Sequence, residues 1–240
     1  MPVSEYRKMF EAETSYFWFV AKQELVGRLA GRLALPARAQ ILDLGCGTGV
    51  NLQNLQKFGF AVGLDYFAEA FSYCGKRSLT ELVLSRGEVL PFREQSFDLV
   101  TSLDTVEHSE DAEQMVKGVF RSLKSGGYFL MTAPAYPWLY GAHDQALGHK
   151  LRFTKRTLHD LLRGAGFKVL LLGNYFGLVF PAALALKLFQ KKFGSKSRTI
   201  SYRLPFPVNQ TLLAACRLEN RLFPHLQLPF GTTLTALCGK

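Results

Sequence analysis

Short apolar runs alternate with amphipathic stretches over the middle of this chain. "QILDLG" (Gln40–Gly45) predicts a strand, and "GVNLQNLQKFG" a helix ending at Gly59. "FAVGLDY" (Phe60–Tyr66) predicts a second strand, "FAEAFSYCGKR" a helix and "ELVLSRG" a short strand. "FDLVTSLD" (Phe97–Asp104) is the next strand. "SEDAEQMVKGVFRSLKSGG" is a helix with acids in its first turn, Lys124 in its last turn and glycines behind it. "YFLMTAP" (Tyr128–Pro134) follows as a strand. Strand and helix in alternation imply an α/β fold: a mostly parallel sheet with helices on both faces.

The flanks differ. Glu5 to Leu33 predicts one long helix with an aromatic knot, "YFWFV" (Tyr16–Val20), before a linker broken by Pro36. After Pro134 comes "AYPWLYGAHDQALGHKLRF", long, aromatic and histidine-bearing, as substrate lids often are. "TKRTLHDLLRGAGF" restores a helix with Thr154 as N-cap, and "KVLLLGNYF" a strand. Residues 177–230 are apolar and basic and fit no element of the alternating core. "TTLTALCGK" closes the chain as a strand. The organisation is one domain over 1–240, with an N-terminal cap (1–36), a lid (135–153) and a helical insertion (177–230).

Net charge is +10, which favours anionic partners without choosing among them. The four cysteines form no C-x-x-C pair, so free thiols in a reducing compartment are expected and no metal is. The first residues, "MPVSEYRKMFEAE", are unlike a signal peptide. Tyr175 to Gln190 taken as one helix reaches only about 24 Å, short of the roughly 30 Å of a bilayer core. A cytoplasmic protein is expected. Peripheral contact with an anionic inner membrane face through Lys187, Lys191, Lys192, Lys196 and Arg198 stands beside a reading of the insertion as a packed substrate cap or dimer surface.

The loop "ILDLGCGTGV" (Ile41–Val50) carries the first chemical signal. Glycines at 45, 47 and 49 allow close backbone approach to a ligand, but Val50 stands where a dinucleotide fingerprint has its third glycine. No phosphate-binding G-x-x-x-x-G-K-[ST] occurs. Asp65 ends the next strand, where a Rossmann-like sheet puts the carboxylate that receives ribose hydroxyls. Asp43 beside the loop suits a cationic ligand end.

"ILDLGCGTG" resembles the first motif of class I S-adenosylmethionine-dependent methyltransferases of the type 11-like group. Asp65 matches their second-strand acid, "GEVLPFREQSFDLVTSLDTVEH" their third and fourth motifs, and "LKSGGYFLMTAP" the segment around their fifth strand. The resemblance covers Gln40 to Val169 and the last strand, and implies a Rossmann-like seven-stranded sheet. It implies S-adenosylmethionine as cofactor, with S-adenosylhomocysteine as product. Gly45, Cys46, Gly47 and Gly49 would line its methionine and ribose, and Asp43 its methionyl end. Asp65 would hold the ribose, Tyr66 would stack near the adenine, and Glu88 and Val89 would flank the adenine edge. Arg86 stands where many relatives carry an acid.

Methyl transfer from a sulfonium needs alignment, exclusion of water and sometimes a base. "LDTVEH" puts Asp104, Glu107 and His108 beyond the fourth strand, with Asp104 counted among the cofactor contacts. "YGAHDQALGH" puts His143, Asp144 and His149 in the lid, with His143 beside Asp144 as the base weighed first and His108 and His149 behind it. His159 is expected to be solvated. The lid and the N-terminal aromatic run resemble one subgroup associated with bacterial polysaccharide and lipid biosynthesis loci. A small or lipid-like acceptor methylated at O, N or C is expected. RNA methylation and a non-catalytic cofactor-binding subunit are the alternatives. Nucleic acid is disfavoured, because the Lys and Arg residues are dispersed and no RNA-binding motif is present.

Overall fold

The computed structural model describes residues 3–185, 202–223 and 225–240. Seven strands form one sheet: β1 (Ala39–Leu44), β2 (Gly59–Asp65), β3 (Leu82–Leu84), β4 (Phe97–Leu103), β5 (Leu123–Pro134), β6 (Lys168–Tyr175) and β7 (Thr233–Gly239). Their order is β3-β2-β1-β4-β5-β7-β6. All pairs are parallel except those of β7, which runs antiparallel to both β5 and β6. This is the mostly parallel sheet expected from the alternation, with the seven Rossmann-like strands that the family resemblance implies.

The helices are α1 (Val3–Ala12), α2 (Phe17–Ala30), α3 (Val50–Leu55), α4 (Ala68–Gly75), α5 (Ala112–Ser122), α6 (Ala142–Leu147), α7 (Lys155–Gly164) and α8 (Phe206–Leu222). Residues 180–185 are also helical. The period-2 alternation of strands sorts the core into two layers. Ile41, Leu99 and Leu130 pack on one face with Leu25 and Leu29 of α2, Leu52 of α3 and Leu213 of α8. Leu42, Val100, Phe129 and Met131 pack on the other with Val116 and Val119 of α5 and Leu158 and Leu162 of α7.

The expected single N-terminal helix is two. It breaks at residues 13–16, where Asn209 of α8 donates to Ser15 O (2.9 Å) and accepts from Phe17 N (2.9 Å). A side chain nearly 200 positions away thus satisfies the backbone groups that the break exposes. The break turns Glu13, 1% exposed, inward to accept from Thr48 of the glycine loop and pair with Arg77.

α5 ends at Ser122 and β5 begins at Leu123, so Lys124 lies in a strand rather than in a last helical turn. There Lys124 pairs with Asp98 at 2.7 Å. Thr154 caps α7 as expected, accepting from Thr157 N at 3.1 Å. The described part of the insertion packs on α2: Asn220 donates to Ala21 O at 2.9 Å and Arg217 pairs with Glu24. Tyr175 is the buried last residue of β6, within the strand expected from "KVLLLGNYF". No helix among the described residues is long and apolar enough to cross a membrane. The basic run from Lys187 to Arg198 lies outside the described residues.

Candidate functional site

The order of strands reverses between β1 and β4, and in open α/β sheets the ligand crevice lies beyond the carboxyl ends of strands at that point. β1 ends in the glycine loop. Gly45, Gly47 and Gly49 all have positive φ (78°, 53° and 84°), a region that side chains disfavour. At Gly45 a Cβ would stand 2.2 Å from Thr105 Oγ1, whereas at Gly47 it would meet nothing within 4 Å. The loop is pressed against β4's exit at one glycine and open at the next.

Asp65 closes the loop from β2. Its Oδ2 accepts from Gly47 N (2.8 Å), and its Oδ1 from Phe67 N (3.0 Å) and from the Tyr6 hydroxyl of α1 (3.2 Å). Asp43, at the end of β1, is 2% exposed. Its Oδ1 accepts from Thr101 at 2.7 Å, but its buried Oδ2 has no partner. Burial raises its pKa to about 6; the Thr101 bond opposes that shift and the nearby Asp65 charge adds to it. Cys46 is buried, and the neighbouring Cys74 and burial push its thiol up, so it contributes backbone rather than a thiolate. All four cysteines are free and buried.

Tyr66 and Val89 are exposed (51% and 60%), and Arg86 covers the Tyr66 ring at 5.0 Å. Glu88 is engaged: its Oε1 accepts from Ser109 Oγ (2.6 Å) and Glu110 N (2.9 Å), which ties the β3–β4 connection to the turn after β4. Burial works to raise its pKa, but these bonds hold it below the usual carboxylate value.

On the other side of the crevice, Asp104 has φ 51°, a conformation that non-glycine residues rarely adopt outside sites that need it. It accepts from Thr132 Oγ1 at 2.8 Å and pairs with Lys22, a lysine 6% exposed on α2. Burial opposes its charge, yet Lys22 holds it in the ionised form below its usual pKa.

The lid folds back over this end as α6 and the segment after it. Asp144, fully buried, accepts from Gly141 N (2.8 Å), His149 Nδ1 (3.0 Å) and Arg152 Nε (2.7 Å). Against the effect of burial, His149 and Arg152 keep it well below the carboxylate range. The Asp144 carboxylate therefore turns to His149. His143 is exposed, with its ring centroid 6.5 Å from that of His149. His108 Nδ1 lies 3.1 Å from Gly148 O, and burial followed by His149 pushes its pKa down to about 4. Glu107 is fully buried without a hydrogen bond to either carboxylate oxygen, and burial and Asp104 push its pKa well up. His159 is half-exposed beside Asp160.

Residues 42–131 match the family model described as "Methyltransferase domain". Over 167 residues the chain is 31% identical to the protein named "Probable S-adenosylmethionine-dependent methyltransferase" of Mycolicibacterium smegmatis, covering 66% of this chain and 62% of that one. These matches support a class I S-adenosylmethionine-dependent methyltransferase. A sterol 24-C-methyltransferase of Aspergillus fumigatus is 34% identical over 120 residues, 46% of this chain and 31% of that protein. The matches thus span less than two thirds of these curated relatives' lengths. Among solved structures, a SAM-dependent methyltransferase from Thermotoga maritima superposes with TM-score 0.62 at 19% identity, covering 99% of this chain and 96% of that one. A chain from the complex of the Haloferax volcanii Trm112 methyltransferase activator with a methyltransferase gives TM-score 0.64 at 17% identity, covering 99% and 93%. Both show the shared fold.

Within this class I methyltransferase fold, the loop, Asp43, Asp65 and Asp104 lie at the carboxyl ends of β1, β2 and β4, around the crevice. Tyr6, Glu13 and Lys22 complete its wall and escape motif reading. Lys22 had a visible signal: it stands one turn before Val26 on the buried stripe of α2, and a lysine there needs a buried partner. Tyr6 and Glu13 had none, because their roles depend on the helix break made by Asn209.

Proposed function

We propose that this chain transfers the methyl group of S-adenosylmethionine to a small-molecule or lipid-like acceptor. The observation that carries the reading is Asp65, pinned by Gly47 N–H at the open part of the glycine loop. The residues fit the cofactor in three respects. A carboxylate at the end of β2 can accept from a ribose diol, displacing the longer Tyr6 bond. Gly47 leaves room for close backbone approach. The unpartnered Asp43 Oδ2 would be matched by a cationic ligand atom such as the methionyl ammonium. Gly45, Cys46 and Gly49 would shape the cradle, and Tyr66 and Val89 would face the adenine. Bound there, the cofactor supplies an activated methyl group.

The chain's own contribution is alignment, dryness and proton handling. Asp104, Glu107 and His149 gather beyond β4, with Glu107 fully buried and Asp104 and His149 partly exposed. For an acceptor hydroxyl or protonated amine, His149 is the group placed to take the proton. Its Nδ1 donates to Asp144, which fixes the tautomer and leaves Nε2 as the acceptor. Aromatic side chains support an apolar acceptor. Tyr136 and Trp138 of the lid and Phe180 and Phe230 of the insertion lie in successive ring contacts of 5.6–5.9 Å. Trp138 remains 62% exposed. The sterol methyltransferase relative supports the same acceptor class.

The test is incubation with radiolabelled S-adenosylmethionine and a fractionated extract, with the product identified by mass. Label in an apolar or small-molecule fraction is expected. Label in RNA alone would overturn the acceptor class.

A further inference from the structure

Three side chains with metal-binding atoms converge where the lid meets the end of β4. Glu107 and His108 come from the 3-10 turn Val106–His108, and His149 from the segment after α6. One ligand atom of each lies within 4.8 Å of the other two, the one such group among the described residues.

The charges around this point do not balance. The carboxylates of Asp104, Glu107 and Asp144 face two cations, Lys22 on Asp104 and Arg152 on Asp144. Glu107 is left over. It is 0% exposed, and neither of its oxygens has a hydrogen-bond partner. A buried carboxyl in this state calls for a proton or a cation.

The imidazoles favour a cation. His149 Nδ1 meets the Asp144 carboxylate at 3.0 Å, and His108 Nδ1 meets the Gly148 carbonyl at 3.1 Å. Both partners accept, so each ring carries its proton on Nδ1 and its lone pair on Nε2. A carboxylate or carbonyl behind Nδ1 is how proteins orient ligating histidines and raise their basicity. His149 Nε2 stands 4.0 Å from Glu107 Oε1.

We propose that Glu107, His108 and His149 form a binding site for a divalent transition-metal ion. Two imidazoles and one carboxylate suit zinc, iron or manganese rather than magnesium or calcium, with zinc the first candidate. Bonds of about 2.0–2.2 Å around a tetrahedral ion bring ligand atoms to about 3.4 Å apart. The site therefore tightens by about an ångström on binding, within reach of imidazole rotation. Two ligands belong to the turn after β4 and one to the lid, so the ion fastens the lid over the crevice. The site stands without the methyl-transfer reading; its chemical use rests on that reading. An ion occupies the lone pair that proton acceptance by His149 would use, so the two roles exclude each other and metal content decides between them.

Chelator-treated full-length protein is titrated with Co2+ and with Zn2+, reading visible absorption, calorimetric stoichiometry and melting temperature. One ion per chain is expected, with the ligand-field absorption of low-coordinate cobalt and a higher melting temperature. Glu107→Gln and His149→Ala should each weaken binding at least tenfold while keeping the wild-type circular dichroism, and His159→Ala should not change it. The Gln variant keeps the side-chain volume and removes the unpaired charge, so it folds even if the Ala variant does not. S-adenosylmethionine is titrated separately into metal-free protein, so loss of the cofactor reading is seen independently. No stoichiometric binding, affinity unchanged in Glu107→Gln, or a thiolate charge-transfer band showing that cysteines hold the ion would overturn the proposal.

Discussion

Replacing Asp43 by Asn should stabilise the protein and weaken its hold on the cofactor. The carboxyl is buried, one oxygen is unpartnered, and its pKa is raised to about 6. An unfolded Asp titrates near 3.9. About two pKa units at 1.36 kcal/mol each make the ionised folded form costly by about 2–3 kcal/mol above pH 6. The folded state binds this proton more tightly than the unfolded state. Its contribution to stability is therefore fully present below about pH 4 and is lost as pH rises through 6. An amide in its place has no such loss and keeps an oxygen for the Thr101 hydroxyl. Urea unfolding of the ligand-free proteins should show Asp43→Asn more stable at pH 8 by about 2–3 kcal/mol. The gain should shrink by about 1–1.5 kcal/mol at pH 5, where much of the carboxylate is already protonated in the folded chain. The same variant should bind S-adenosylmethionine at least tenfold more weakly, because the charge facing the ligand's cationic end is gone. A gain equal at both pH values, or no gain at pH 8, would refute the buried-charge reasoning. Unchanged affinity would separate Asp43 from the cofactor.

Other consequences follow from single contacts. Asn209→Ala removes both bonds that close the break between α1 and α2 and should cost about 2–4 kcal/mol in urea unfolding; a loss under about 0.5 kcal/mol would mean that the break does not depend on Asn209. His149→Ala should lower turnover by about 100-fold or more with cofactor affinity retained, while exposed His143→Ala should stay within about threefold of wild type; the reverse order would return the base to His143. A lipid-like acceptor met at a membrane surface, together with the basic run Lys187 to Arg198, predicts co-sedimentation with anionic vesicles at low salt and release at high salt. No binding at low salt would leave the insertion as a packed cap.

The sheet was legible because local signals and the fold agree. Buried parallel strands are continuous apolar runs, and Gly59 opens β2, whereas Gly126 and Gly127, read as the end of a helix, lie inside β5. Gly45, Gly47 and Gly49 announced a left-handed backbone, and Asp65 announced its register at the end of β2. What stayed hidden depends on distant contacts. The split of the N-terminal helix is made by Asn209, and no periodicity within residues 5–33 records it. Adjacency suggested His143 for Asp144, but Asp144 sits in the first turn of α6, and its carboxylate is bound by His149 and Arg152 as the chain folds back after that helix. Glu107 was visible as one polar residue among several. Its isolation from any partner is a property of the packed turn alone.

The central claim is that the loop between β1 and α3, closed by Asp65, is a cradle for S-adenosylmethionine. Calorimetric titration of the purified chain with S-adenosylmethionine, S-adenosylhomocysteine and NAD tests it most directly. Saturable one-to-one binding of the first two, none of NAD, and at least a tenfold loss in Asp65→Ala is the expected result. Heat with NAD alone, no heat with either sulfur ligand, or an Asp65→Ala variant that binds as tightly as wild type would contradict it.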